Sequence, residues 1–268
     1  MCKFSFDYSE YKSLSKKPKG NILFLSGFAF DCKLVKTYRQ YINEYNCFNL
    51  NVIGVGKNNL PFNKKLIKQH CKIKNQGKYI AEFIRNKKLN NVIIIAHSLG
   101  CVYAAEVATH VPERIKYLIF ENPITHFAYR YWFYFYFNML PTSIDERIKL
   151  LKWQAVNYKE LAKSQHAINT WSYYVNFIKD NYKTMNYWWK KIVYSPSEML
   201  HSRRIYLNVN HPTIVLLGDK DLITPCKSAT KFFKKNKNIK VHIIKNSMHI
   251  SHVENLKQTK KIIDKFIN

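Results

Sequence analysis

No Cys-x-x-Cys pair and no cysteine–histidine grouping at zinc spacing occurs in this chain, whose six cysteines stand at positions 2, 32, 47, 71, 101 and 226. The pattern argues against a structural zinc site and fits reduced thiols in a cytosol. Residues 1–20 lack the apolar core and small-residue cleavage site of a secretory signal, so export is not expected and the predicted location is cytoplasmic. No apolar run reaches the roughly 20 residues needed to span a bilayer. The most apolar stretch, residues 131–140, is about half that length, with Arg130 at its edge. Internal repeats and low-complexity linkers are absent too. At 268 residues the chain holds one large α/β domain with an inserted piece, and is too short for two independent enzymes.

Acidic residues are scarce: 17 Asp and Glu face 44 Lys and Arg, a formal net charge of +27. A basic surface gathers polyanions without sequence-specific contacts, so the charge allows peripheral contact with an anionic membrane surface. The lysines are spread along the whole chain beside abundant Asn, Ile and Tyr, the pattern of solvated positions in an A/T-rich coding sequence, and no specific nucleic acid is expected. The densest run, Lys231, Lys234, Lys235 and Lys237, falls near the end of a predicted helix, where cations suit the helix dipole. A hydrophobic fraction of 47% with 15% aromatics is enough to fill a substantial core, so the chain is expected to fold.

Residues 21–25, 92–95, 117–120 and 213–217 are short continuous apolar runs, as strands buried on both faces of a parallel sheet are. Segments with helical spacing, such as 76–85 and 102–110, lie between them. Strand and helix alternate as βαβ units require, which predicts a mostly parallel, doubly wound α/β sheet. From 124 to 208 the alternation stops. The composition turns aromatic and helical, with Phe127, Trp132, Phe135, Trp153, Trp171, Trp188 and Trp189. This predicts a helical cap insertion between core segments 1–123 and 209–268. Ser143 with Glu146 three residues on reads as a capping box. The sheet pattern resumes through 241–244, before a last amphipathic helix at 256–267.

The strand run at 92–95 leads into Ala96-His97-Ser98-Leu99-Gly100 and then a helix-like segment. A serine on a sharp strand-to-helix turn lifts its hydroxyl clear of the backbone, and small residues two before and two after it let strand and helix approach. Ser98 is the candidate nucleophile. The amide of Leu99, at the helix N-terminus, would point into the site as an oxyanion donor. Cys101 is expected to pack as a small buried thiol.

From about residue 21 to the C-terminus, apart from the insert, the chain resembles the α/β-hydrolase superfamily, in particular its small esterase/lipase branch. Ala96 stands where the elbow usually has glycine. After the first apolar strand, Leu25-Ser26-Gly27-Phe28 has Ser26 where the family usually has histidine; the resemblance makes the amide of Phe28 the second oxyanion donor. Gly218-Asp219-Lys220-Asp221 carries the family's G-x-x-D spacing, which points to Asp221 as the acid that fixes the histidine tautomer. Glu121, after another strand, is the understudy, and Asp219 reads as turn chemistry. Ser247-Met248-His249 precedes the last helix, without the family's glycine before the histidine, and the resemblance makes His249 the base. His252 reads as packing or surface, and Glu254 as part of the following helix start. Asn51 stands where the family often has aspartate. Gly54 and Gly56 are not a phosphate loop, since neither a third glycine nor a Lys-Ser/Thr pair follows.

The resemblance implies an acyl-enzyme on Ser98 and an ester substrate, small or lipidic, with no metal or cofactor. Carboxylic ester, thioester, lysolipid and monoacylglycerol all suit this triad. The insert's rings either line the site or fill the cap's own core. No feature is dedicated to a free amino terminus, which disfavours a peptidase. The competing class is a non-catalytic protein that docks on anionic lipid or nucleic acid. Docking of that kind would fall steeply with salt, whereas turnover of a neutral ester would not.

Overall fold

Side chains of the central strands sort alternately onto two faces, and each face has its own apolar core. The structure, a computed structural model, describes residues 5–124 and 131–268. Cys2, Phe127 and Arg130, named above, lie outside the described residues. The strands are β1 (Tyr8–Tyr11), β2 (Asn21–Leu25), β3 (Asn46–Leu50), β4 (Val92–His97), β5 (Ile115–Glu121), β6 (Thr213–Gly218) and β7 (Ile239–Ile244). They form one seven-stranded sheet in the order β1-β3-β2-β4-β5-β6-β7. Among the described residues only the β1–β3 pair is antiparallel.

Leu23, Ile94, Leu118 and Val215 face one side. There they meet α1 (Lys64–His70), α2 (Ile73–Asn86), α3 (Leu99–His110) and α10 (Cys226–Phe233) through residues such as Ile67, Ile80, Val102 and Phe232. Ile22, Ile93, Ile119 and Ile214 face the other side, against Ile263 and Ile267 of α12 (Leu256–Ile267). Burial on both faces explains why these strands are continuously apolar. The predicted mostly parallel, doubly wound sheet is the observed one, and α12 has the predicted bounds.

β1 and β3 carried no such signal. β1 is a half-buried edge, with Glu10 paired to Lys87 at 2.9 Å. β3 buries Asn49, whose amide donates to the carbonyls of Cys32 and Val35 at 3.3 and 3.1 Å. Those bonds offset the polarity that breaks the apolar run.

Between β5 and β6 the described chain forms α4 (Trp132–Asn138), α5 (Ile144–Leu151), α6 (Tyr158–Lys163), α7 (Gln165–Asp180), α8 (Tyr182–Trp188) and α9 (Pro196–Leu207). Trp188 and Trp189 are fully buried and pack against Phe28 with ring centroids at 5.1 and 4.9 Å. These helices therefore press on the loop that follows β2. The capping box at α5 is only half formed. Ser143 Oγ accepts the Glu146 amide at 3.2 Å, but the Glu146 carboxylate reaches one residue further back, to the amide of Thr142 at 2.7 Å. Among the described residues no helix is long and apolar enough to cross a membrane.

The sheet order also places the site. From β2 the chain steps outward to β3, and from β4 it steps the other way to β5, so the carboxyl ends of β2 and β4 adjoin at a reversal of strand order. Open α/β sheets leave a crevice at such a point.

Candidate active site

Ser98 sits where β4 turns into α3, with φ 53° and ψ −119°. Such a backbone is costly for a residue with a side chain and persists only where its surroundings hold it. The Ser98 amide donates to Glu121 O at 2.9 Å, and its carbonyl accepts from Cys101 and Ile124 at 3.2 and 3.3 Å. The turn is also crowded. A Cβ on Gly100 would lie 2.5 Å from Leu25 O and 2.6 Å from Ser26 O. Gly100→Ala is therefore expected to destabilise the fold by about 1–3 kcal/mol, read as a lower urea midpoint at unchanged m-value. Unchanged stability would mean that strand and helix are not so close.

His249 lies in the loop after β7 and is 2% exposed; Ser98 and Asp221 are 5% and 4% exposed. His249 Nε2 is 2.9 Å from Ser98 Oγ, and His249 Nδ1 is 2.9 Å from Asp221 Oδ2. The other oxygen of Asp221 accepts the amides of Ile223 and Thr224 at 2.8 and 3.1 Å. The structure thus brings together the three residues that the sequence singled out. Gly27 places the loop after β2 against them, since a Cβ there would sit 3.2 Å from Ser98 Cβ. Phe28 follows in that loop. Leu99 opens α3, where a first-turn amide has no intrahelical acceptor.

The understudy acid is engaged elsewhere. Glu121 Oε1 accepts from the ring and the amide of His252, the ring nitrogen lying at 2.8 Å. His252, read above as packing or surface, is its ion-pair partner. Burial raises Glu121 and lowers His252, but their mutual charge and hydrogen bonds win on both. Glu121 ends below the ordinary carboxylate range and His252 above the ordinary histidine value. The lowered carboxyl adds stability above its unfolded pKa of about 4.3, lost as pH falls through the folded value. The raised imidazole adds stability in full below about pH 6.5, lost as pH rises through its folded value. The pair therefore contributes most between about pH 5 and 6. Glu121→Gln is expected to lower the melting temperature more at pH 6 than at pH 8.5. An equal loss at both pH values would contradict the pairing.

Three supporting residues escaped sequence reasoning. His97 Nε2 donates to the carbonyl of His249 at 2.8 Å. Burial first, then the neighbouring His249 and His252, push its pKa down to about 3, so the ring is neutral and has a proton on one nitrogen to give. Gln154 O accepts the His249 amide at 2.9 Å, so the backbone after α5 holds the histidine loop. Asn122 bridges the acid and histidine loops, accepting the Gly218 amide and donating to Met248 O. Of these, only Asn122 carried a signal, its place at a strand end before Pro123. Glu254, at the end of the short helix α11 (Ser251–Glu254), accepts the amides of Met248 and Val156. Burial raises the Cys101 thiol well above its ordinary value, in keeping with packing. Asn51 is buried and bonds Cys32 N, Asp7 and Asp31. Among the described residues no group of three or more His, Cys, Asp or Glu is placed to hold a metal ion.

A doubly wound sheet of this order, with a strained serine turn after its central strand and an acid and a histidine in loops after later strands, is the α/β-hydrolase fold. The chain belongs to the hydrolase family described as serine aminopeptidase, S33, whose model matches residues 16–255. It is similar to a Mycoplasma genitalium protein named among the esterases/lipases, at 27% identity over 84% of this chain and 80% of that one. Two solved structures share the fold. A protein of Acinetobacter baumannii named as a lipase superposes with a TM-score of 0.76 at 19% identity, covering 98% of this chain and 87% of the other. A lipase-esterase related protein of Clostridium acetobutylicum gives 0.73 at 18% identity, covering 97% and 99%. The chain is an esterase/lipase-like α/β hydrolase.

Proposed function

We propose that the chain is a serine ester hydrolase that works through an acyl-enzyme on Ser98. The reading rests on the unbroken chain from Ser98 Oγ through His249 to Asp221, with both links at 2.9 Å and all three groups buried. His249 takes the Ser98 proton as Oγ attacks the ester carbonyl, and Asp221 holds the ring tautomer and stabilises the imidazolium. The amides of Leu99 and Phe28 hold the oxyanion. His249 returns the proton to the departing alcohol, then activates water to release the acid. None of these steps uses a cofactor.

Residues 124–208 act as the cap, with Trp188 and Trp189 as its own core rather than a substrate wall. The acyl group enters the small, mostly apolar cavity beside the elbow, lined by residues such as Leu99, Val102, Ile124, Ile192 and Met199, with Glu198 also on its wall. Its volume of about 40 Å³ is room for a few water-sized groups, which favours short acyl chains over long ones. An ester substrate also fits better than a peptide with a free amino terminus, which needs a carboxylate to receive its ammonium. The carboxylates around the triad and the cavity are already engaged: Asp221 by His249, Glu121 by His252, and Glu198 and Glu254 by backbone amides. Cytoplasmic operation accords with the free cysteines at 32, 71, 101 and 226. The experiment is hydrolysis of p-nitrophenyl esters from acetate to decanoate. The expected optimum lies at acetate to butyrate; an optimum at eight carbons or more would overturn the pocket assignment.

A further inference from the structure

Arg147 of α5 stands beside the proposed active site without an anionic partner. Gln154 Oε1 accepts from its Nη1 at 2.6 Å, and among the described residues no other group accepts from the guanidinium and no carboxylate pairs with it. Two of its neighbours are rings, Trp171 at 5.5 Å and Tyr174 at 5.9 Å from Cζ to centroid. Rings stabilise the cation through their faces while leaving its N–H edge available. Burial pulls the guanidinium below its ordinary pKa, and only the neighbouring Tyr174 works against this. The group remains charged at any physiological pH. Its other donors are not sealed off without partners, so they are reachable from solvent. A half-buried cation with spare, reachable donors is a receptor for an oxyanion, since charge-assisted hydrogen bonds to a guanidinium are strong and often bidentate.

Position says which part of the substrate this is. Gln154, which holds Arg147 by its side chain, holds the His249 amide by its backbone carbonyl at 2.9 Å. Tyr174, beside Arg147, packs on Phe30 in the loop after β2, with centroids 6.1 Å apart. Through Gln154 and Tyr174, Arg147 thus connects to the histidine loop and to the proposed oxyanion loop. The small apolar cavity at Leu99 and Ile124 does not include it. The net charge of +27 adds a long-range field that draws anions toward the protein.

We infer that the substrate is an ester of an alcohol that itself carries a carboxylate or phosphate, and that Arg147 binds that anionic group. This rests on the ester-hydrolase reading and names the substrate class of the same site. Two matched pairs test it: o-nitrophenyl butyrate against 3-butyryloxy-4-nitrobenzoate, and 1-butyrylglycerol against 1-butyrylglycerol 3-phosphate. For the wild-type protein, kcat/KM is expected to favour the anionic member of at least one pair by about 10-fold or more, the scale of one charge-assisted contact. The pair with the larger ratio identifies the group as carboxylate or phosphate. The ratio should shrink as salt rises from about 0.05 to 0.5 M, where screening shortens the reach of charge. Arg147→Gln should bring the ratio near one through a higher KM for the anionic ester, with Arg147→Lys between. A wild-type ratio of one or less in both pairs overturns the inference even if no variant folds, as does a ratio that folded Arg147→Gln leaves intact. Failure to hydrolyse any of the four esters would overturn the ester-hydrolase reading and this inference with it. Turnover without charge preference would overturn this inference alone.

Discussion

Replacing Ser98 with alanine is expected to cut kcat/KM on p-nitrophenyl butyrate by at least about 10⁴-fold, to the residual rate that oxyanion donors and binding alone support. The size follows from the chemistry: without Oγ there is no nucleophile for His249 to activate, and no acyl-enzyme forms. The fold should survive. Alanine pays the same backbone cost at φ 53° as serine does, and the bonds that hold the turn run through the Ser98 amide and carbonyl. The unfolding midpoint should therefore stay close to that of the wild type. Equal activity in the two folded proteins would place the reaction elsewhere.

Asp221→Asn is expected to lower kcat by about 10⁴-fold while keeping the loop in place. Asp221 Oδ1 receives the amides of Ile223 and Thr224, which an asparagine oxygen still accepts. The damage falls on Oδ2, which faces His249 Nδ1. An NH₂ there cannot accept the ring proton, so the ring adopts the tautomer that points Nε2–H at Ser98 and can no longer act as base. Asparagine also leaves the imidazolium of the transition state without a counter-charge. Glu121→Gln provides the contrast. Its carboxylate is bound to His252, so it is expected to cost less than about 10-fold in kcat. If Glu121→Gln proved the more damaging change, the acid would have to be reassigned.

The parts of this site that were legible in the sequence are those whose chemistry demands a local pattern. Ser98 needs a small neighbour on each side of a tight turn after an apolar strand, and Ala96 and Gly100 supply them. Asp221 and His249 each lie in a loop just after a strand, and chain order does the rest. The central strands were legible because both faces are buried, as Ile93 and Ile94 on opposite sides show. β3 was not, because Asn49 interrupts it and is balanced by carbonyls from a distant loop. Long-range supports were also invisible. His97 meets the His249 carbonyl across 152 positions, and Gln154 reaches the same residue from the inserted helices; no periodicity or spacing encodes either contact. Glu121 and His252 were each noticed, but their pairing depends on how the loops after β5 and β7 converge. Arg147 carried no signal in the sequence, since the lack of a carboxylate paired with it among the described residues is a property of the packed molecule.

The most direct measurement is covalent: incubation of the folded protein with a fluorophosphonate, followed by mass-spectrometric mapping of the adduct. Phosphonylation captures a serine only when a neighbouring base activates it, so the reaction reports the working nucleophile whatever the natural substrate is. One adduct, confined to Ser98 and absent from Ser98→Ala, with labelling slowed strongly in His249→Ala, is the expected result. A folded protein that takes no label, or that takes it on another residue, would contradict the assignment of Ser98 as the nucleophile.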